Sequence, residues 1–129
     1  MTNHQDNVLA VNEAFYRAFE KKDLEVMSQI WSQGTVSLCI HPGGKVLRGW
    51  SEVRDSWEKI FRNTSYLEID LEIIATEISD EIAYVVVLEK VLQISKGRRV
   101  EAKSMATNIF SNLAQKWYLV HHHGSPLIR

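Results

Sequence analysis

Arg98-Arg99-Val100-Glu101-Ala102-Lys103-Ser104-Met105-Ala106-Thr107-Asn108-Ile109-Phe110 reads as one long β-strand. Successive side chains of a strand point to opposite sides of its sheet. Ala102, Ser104, Ala106, Asn108 and Phe110 therefore share one face, and Glu101, Lys103, Met105, Thr107 and Ile109 share the other. The first face is small and nearly uncharged. Turned inward, it leaves room beneath whatever packs on the sheet, so a pocket is expected there with Ser104 and Ala106 on its wall and the Asn108 amide presented to it. The same small residues would equally accommodate the indoles of Trp31, Trp50 or Trp57, which are counted among the lining candidates.

Similar segments lie on both sides. Tyr66 to Ile78, Glu81 to Ile94 and Lys116 to His123 are long and β-rich, and Ser79-Asp80, Lys96-Gly97 and Asn112 punctuate them, which predicts a four-stranded antiparallel meander. The first half has a different period. Val8, Val11, Phe15, Ala18 and Phe19 fall three and four apart, one face of a helix over Asn7 to Glu20. Asp23 caps a second short helix that Gly34 would end, and Thr35 to Ile40, the Pro42-Gly43-Gly44 turn and Val46 to Arg48 form a small hairpin. Ser51 would cap a third helix running to Asn63. Helices first and strands second make an α+β domain, a curved, mostly antiparallel sheet wrapped around three helices, and residues 1–129 are expected to form one such unit.

Composition narrows the partners. Fifteen basic residues against sixteen acidic ones leave a charge of −1 with no run of either sign, which argues against nucleic acid or a membrane surface. The longest apolar run, Ala83 to Leu88, is far short of the roughly 20 residues a membrane-spanning helix needs. Cys39 is the only cysteine, so no internal disulfide forms, and its thiol is expected to be buried and inert. Met1 to Asn7 lacks the cationic and apolar pattern of an export signal, and a cytoplasmic location is expected.

Strict alternation along the last strand would place Trp117, Leu119, His121 and His123 together, with Tyr118, Val120 and His122 opposite. Two inward imidazoles suit a polar pocket wall or a shared metal, but no compact ligand motif ties His41 or Glu89 to them, so no metal and no cofactor is expected. Glu89 interrupts the apolar face formed by Ala83, Val85, Val87 and Val91. Inside, it must be hydrogen-bonded or paired, as with Arg99, and its pKa must rise. His41, locked before Pro42 in the turn, is the leading candidate for a proton acceptor.

The element order and several motifs resemble the SnoaL-like branch of the superfamily that includes ketosteroid isomerase and nuclear transport factor 2. The motifs are Lys22-Asp23-Leu24-Glu25, His41-Pro42 followed by Arg48-Gly49, Ala106-Thr107-Asn108-Ile109-Phe110, and Trp117 through Pro126. The closing strand is also similar to that of the association domain of calcium/calmodulin-dependent protein kinases. The resemblance implies a conical sheet with a cavity and a homodimer built through the outer sheet face. It places His41 where an isomerase has its base, Phe15 or Tyr16 near the isomerase tyrosine, and Ser104 in the neighbourhood of its acidic donor.

Two functions follow as expectations. One is an isomerase, cyclase or lyase acting on a small apolar carbonyl compound, with His41 moving a proton and Asn108, His121 or His123 stabilising enolate charge. The other is a non-catalytic binding or association module that pairs through Met105, Thr107 and Ile109.

Overall fold

The computed structural model describes residues 3–34 and 36–128; Met1, Thr2, Thr35 and Arg129, the first three of which enter the expectations above, lie outside them. Helix α1 spans His4–Lys21, α2 Leu24–Ile30 and α3 Gly49–Asn63, with strands β1 Leu38–Ile40 and β2 Val46–Arg48 between the last two. Four long strands follow, β3 Tyr66–Ile78, β4 Ile82–Ser95, β5 Arg98–Leu113 and β6 Lys116–Pro126. They form the expected meander, and the six-stranded sheet runs β2-β1-β6-β5-β4-β3, every pairing antiparallel except β1 with β6. The sheet is curved and unclosed, and its inner face packs on the helices.

Local chemistry accounts for the element ends. The Asn3 side chain accepts from the Asp6 N–H, and Lys22 closes α1 in the left-handed conformation at φ 57°. Asp23 caps α2 through the Val26 N–H. Gly34 does not end that helix: α2 stops at Ile30, because Trp31 turns extended and forms a parallel bridge to Leu119 of β6. Nor does Ser51 cap α3. The N-cap is Arg48, whose N–H is taken by the Glu52 carboxylate at 2.9 Å. The last hairpin turns at Ala114-Gln115, both left-handed, and not at Asn112.

Two features aim the interior. His41-Pro42-Gly43-Gly44 is a tight turn in which the Gly44 N–H donates to the His41 carbonyl at 2.7 Å and Gly43 takes φ +76°, the geometry a type II turn requires of its third residue. This turn rests on β6 at Gly124, where a Cβ would stand 2.8 Å from Pro42 Cγ. The second feature is a bulge. Phe110 pairs with Leu119 but Ile109 pairs with His121, so Val120 is an extra residue in β6. Beyond it the alternation is inverted.

Candidate functional site

On α1, Asn12 and Tyr16 lie one turn apart on the buried face begun by Val8. Glu89 comes from β4, Asn108 from β5 and His122 from β6, the last two as direct cross-strand neighbours. Tyr16 and Asn108 are wholly buried, Asn12 and His122 are 1% exposed and Glu89 is 3% exposed. Polar groups taken out of water to this degree must satisfy one another.

They do so as one connected chain. The Tyr16 hydroxyl donates to Glu89 Oε2 at 2.5 Å. Asn108 Nδ2 donates to Asn12 Oδ1 at 2.9 Å and to the Tyr16 oxygen at 3.1 Å. That leaves Asn108 Oδ1 as the acceptor in its 2.6 Å contact with His122 Nδ1. His122 accordingly carries its proton on Nδ1 and keeps a lone pair on Nε2.

Burial decides the electrostatics. It pushes the Glu89 carboxyl up to about 7, with the Tyr16 hydrogen bond opposing the shift. The Tyr16 phenol rises well above its ordinary value through burial first and the Glu89 charge second. His122 falls to about 3, through burial and then through the imidazoles of His41, His121 and His123. His41 falls to about 4, from burial. Both imidazoles are thus neutral at pH 7, and Glu89 alone among these groups exchanges its proton near neutrality.

His41 stands at the half-buried rim, its ring edge-on to Trp57 at 4.8 Å and 6.4 Å from His122. Its Nε2 lies 2.9 Å from Ser56 Oγ, whose hydroxyl is 2.6 Å from the Val53 carbonyl. A carbonyl can only accept, so the serine proton goes there, and His41 Nε2 donates while Nδ1 keeps a lone pair. Among the described residues, the buried Trp57 and Trp31 indole N–H groups have no hydrogen-bond partner. Cys39 is buried and its thiol is pushed up to about 12, first by burial and then by the Glu89 charge.

Not every predicted residue joins this group. Glu89 is held by Tyr16 and not by an ion pair; Arg99 turns instead to Glu101 on the exposed side. His121 and His123 face outward, because the Val120 bulge inverts the parity on which their inward placement rested. Ser104 and Ala106 are buried beside the network, opposite Glu89 and Val87. Trp31 and Trp57 fill the core with Phe15, and Trp50 is half-buried against Trp31. These side chains pack together beneath the helices, where open space was expected. Asn12 and His122 are the residues that the sequence reading left out. A polar residue four positions from both Val8 and Tyr16 was the available signal for Asn12, whereas the bulge that brings in His122 leaves none. Among the described residues no three His, Cys, Asp or Glu side chains stand together as a metal site.

The sequence pattern of the SnoaL-like domain matches residues 8–129. The chain is 31% identical to an NTF2-like family protein from Streptomyces avermitilis, provisionally described as a dehydratase, with a TM-score of 0.89 and 96% of each chain covered. It is 28% identical to a protein from Thiobacillus denitrificans, provisionally described as a calcium/calmodulin-dependent protein kinase type II association domain, with a TM-score of 0.80 over 92% of this chain and 93% of that one. It is also 26% identical to the F-box protein SKIP8 of Arabidopsis thaliana over 121 residues, 94% of this chain but only 50% of that protein. The chain thus spans about half the length of this curated relative.

Proposed function

The chain belongs to the SnoaL-like domain family, and on that footing we propose that it binds a small, largely apolar, carbonyl-bearing molecule inside the cone and moves a proton on it with its own side chains. The reaction class is isomerisation, cyclisation or elimination. The observation that carries this reading is the buried chain of Glu89, Tyr16, Asn108 and His122. An apolar core of equal volume is often as stable or more so, and groups with strongly shifted proton affinity concentrate where chemistry is done.

Glu89 is the proton carrier, since its affinity is matched to neutral pH. Ligand binding turns the Tyr16 hydroxyl from Glu89 to a developing enolate oxygen, freeing the carboxylate to take the proton, and the Trp57 indole N–H is the second donor. Asn108 and Asn12 position Tyr16, and His122 and His41 contribute neutral imidazoles at the inner and rim ends. His121 and His123, on the outer face, take no part. Ligand entry is by way of the rim at His41, past the turn at 41–44 and α3.

Model carbonyl compounds serve for the test in place of the natural ligand. Cyclic enones and β-hydroxy ketones are incubated with the protein in D2O, and deuterium at the carbon next to the carbonyl is followed by NMR. Wild type is expected to exchange that proton and Glu89→Gln to lose the exchange while remaining folded. Equal exchange in both would remove Glu89 from the mechanism.

A second reading rests on a separate observation. Ile82 and Tyr84 are 54% and 41% exposed on the outer sheet face and, with Val86, Thr107 and Ile109, line a depression of about 430 Å³. A second copy covering that face would make the domain an association module, in keeping with the 28% identity to a kinase association domain. Sedimentation at micromolar concentration checks it, and a monomer alone would count against it.

A further inference from the structure

The two imidazoles that the bulge turns outward form an arrangement of their own. His121 and His123 stand two apart on the outer face of β6, with ring centroids 6.2 Å apart and planes at 64°. Residues two apart on a strand are separated by about 6.5–7 Å, so the rings lean slightly towards each other. Their neighbours in register are Leu38 and Ile40 on β1, and Ile109 and Thr107 on β5. None of these is charged. Neither imidazole forms a hydrogen bond or ion pair among the described residues. His121 is half-buried and His123 exposed. Burial first, and then His123 beside it, lowers the proton affinity of His121 and keeps its ring neutral with a free lone pair.

We propose that His121 and His123 form a two-imidazole chelate for a divalent transition cation of the Cu2+, Ni2+ and Zn2+ group, on the outside of the cone and separate from the buried network. A cation bound about 2.0–2.1 Å from a ring nitrogen sits roughly 3.2 Å from that ring's centre, so one ion spans two rings up to about 6.4 Å apart. The observed 6.2 Å falls within that reach, and small ring rotations bend the coordination angle to a favourable value. Neutral imidazole suits these metals, with Cu2+ expected to bind most tightly. Water, or a donor from another molecule, completes the coordination. The uncharged flanks supply no carboxylate, which would favour Mg2+ or Ca2+ instead.

Calorimetric titration of the full chain with ZnCl2 and NiCl2, in a buffer that does not chelate, tests this. One equivalent per chain is expected, with affinity falling on acidification as protons compete for the lone pairs. Long-range 15N spectra should shift the His121 and His123 ring signals and leave His4, His41 and His122 in place. Each of His121→Ala and His123→Ala should weaken binding by more than about tenfold, since even a partner outside the coordination shell is worth about 10- to 100-fold. His121 is half-buried and His123 exposed on the outer face, and a circular dichroism melt confirms that each variant is folded. Binding that survives both substitutions, ring shifts at His4 or His41 instead, or no binding at a several-fold molar excess of cation would each overturn the proposal.

Discussion

Tyr16 on α1 and Glu89 on β4 lie 73 positions apart in sequence and meet in a 2.5 Å hydrogen bond, the phenol donating to a carboxyl that burial has raised to about 7. This bond fastens the first helix to the middle of the sheet. It also keeps a proton-exchanging group dry, which is the state in which a carboxyl acts at neutral pH.

Removing the phenol oxygen leaves both Glu89 and Asn108 short of a partner. Tyr16→Phe is therefore expected to destabilise the fold by about 1–3 kcal/mol for each group left unsatisfied. In a double-mutant cycle with Glu89→Gln, read from urea melts, a coupling of about 0.5–3 kcal/mol is expected. Strict additivity of the two changes would show that the bond carries no energy.

Stability should respond to pH with two opposed signs. His41 and His122 bind protons at an ordinary 6.5 when unfolded but at about 4 and about 3 when folded, so they contribute stability that is lost as pH falls below 6.5. Glu89 runs the other way. Its folded carboxyl takes a proton at about 7 and its unfolded one at 4.5, so its ionisation removes stability as pH rises through that window. Glu89→Gln should accordingly lose stability more steeply than wild type on acidification from pH 7 to 4.5, by about 1.4 kcal/mol per pH unit for the one proton concerned. Urea melts at three pH values in that range measure it, and parallel curves for the two proteins would contradict it.

Gly124 is small for a reason that its φ does not require. A methyl group there would meet Pro42 Cγ at 2.8 Å and Cδ at 3.0 Å, in the turn that carries His41. Gly124→Ala is expected to cost about 1–3 kcal/mol through overpacking and to shift the His41 ring signals. An unchanged melting temperature with unmoved His41 signals would show that the turn does not bear on β6.

Much of this architecture was legible in the chain. The period of two in residues 98–110 marks β5 and correctly turns Ser104, Ala106, Asn108 and Phe110 inward, and the odd carboxylate at Glu89 announces itself against its valine neighbours. His121 and His123 were misplaced for one physical reason. Alternation holds only while a ladder is regular, and the bulge at Val120 inverts it without any glycine or proline to mark the spot. Turns built on Ala114 and Gln115 are equally silent, since neither residue favours the left-handed conformation that both adopt.

That bulge can be tested directly. Deleting Val120 would leave Leu119 and His121 as consecutive residues of a regular ladder, with His122 still inward and His121 and His123 still outward. The deletion is expected to keep cooperative unfolding and the Asn108–His122 hydrogen bond, because the pairing on either side of the bulge is unchanged. A variant that loses cooperative unfolding, or whose His122 ring signals move to those of an exposed imidazole, would mean that Val120 is not the extra residue.

The buried acid itself can be titrated. With glutamate labelled at its side-chain carboxyl carbon, and Glu89 identified by its loss in Glu89→Gln, the 13C signal is followed from pH 4 to 9. A midpoint near 7 is expected for a carboxyl sealed beneath α1 with Tyr16 as its donor. A midpoint at its ordinary 4.5 would mean that water reaches Glu89 freely, and the proton-transfer site would not exist.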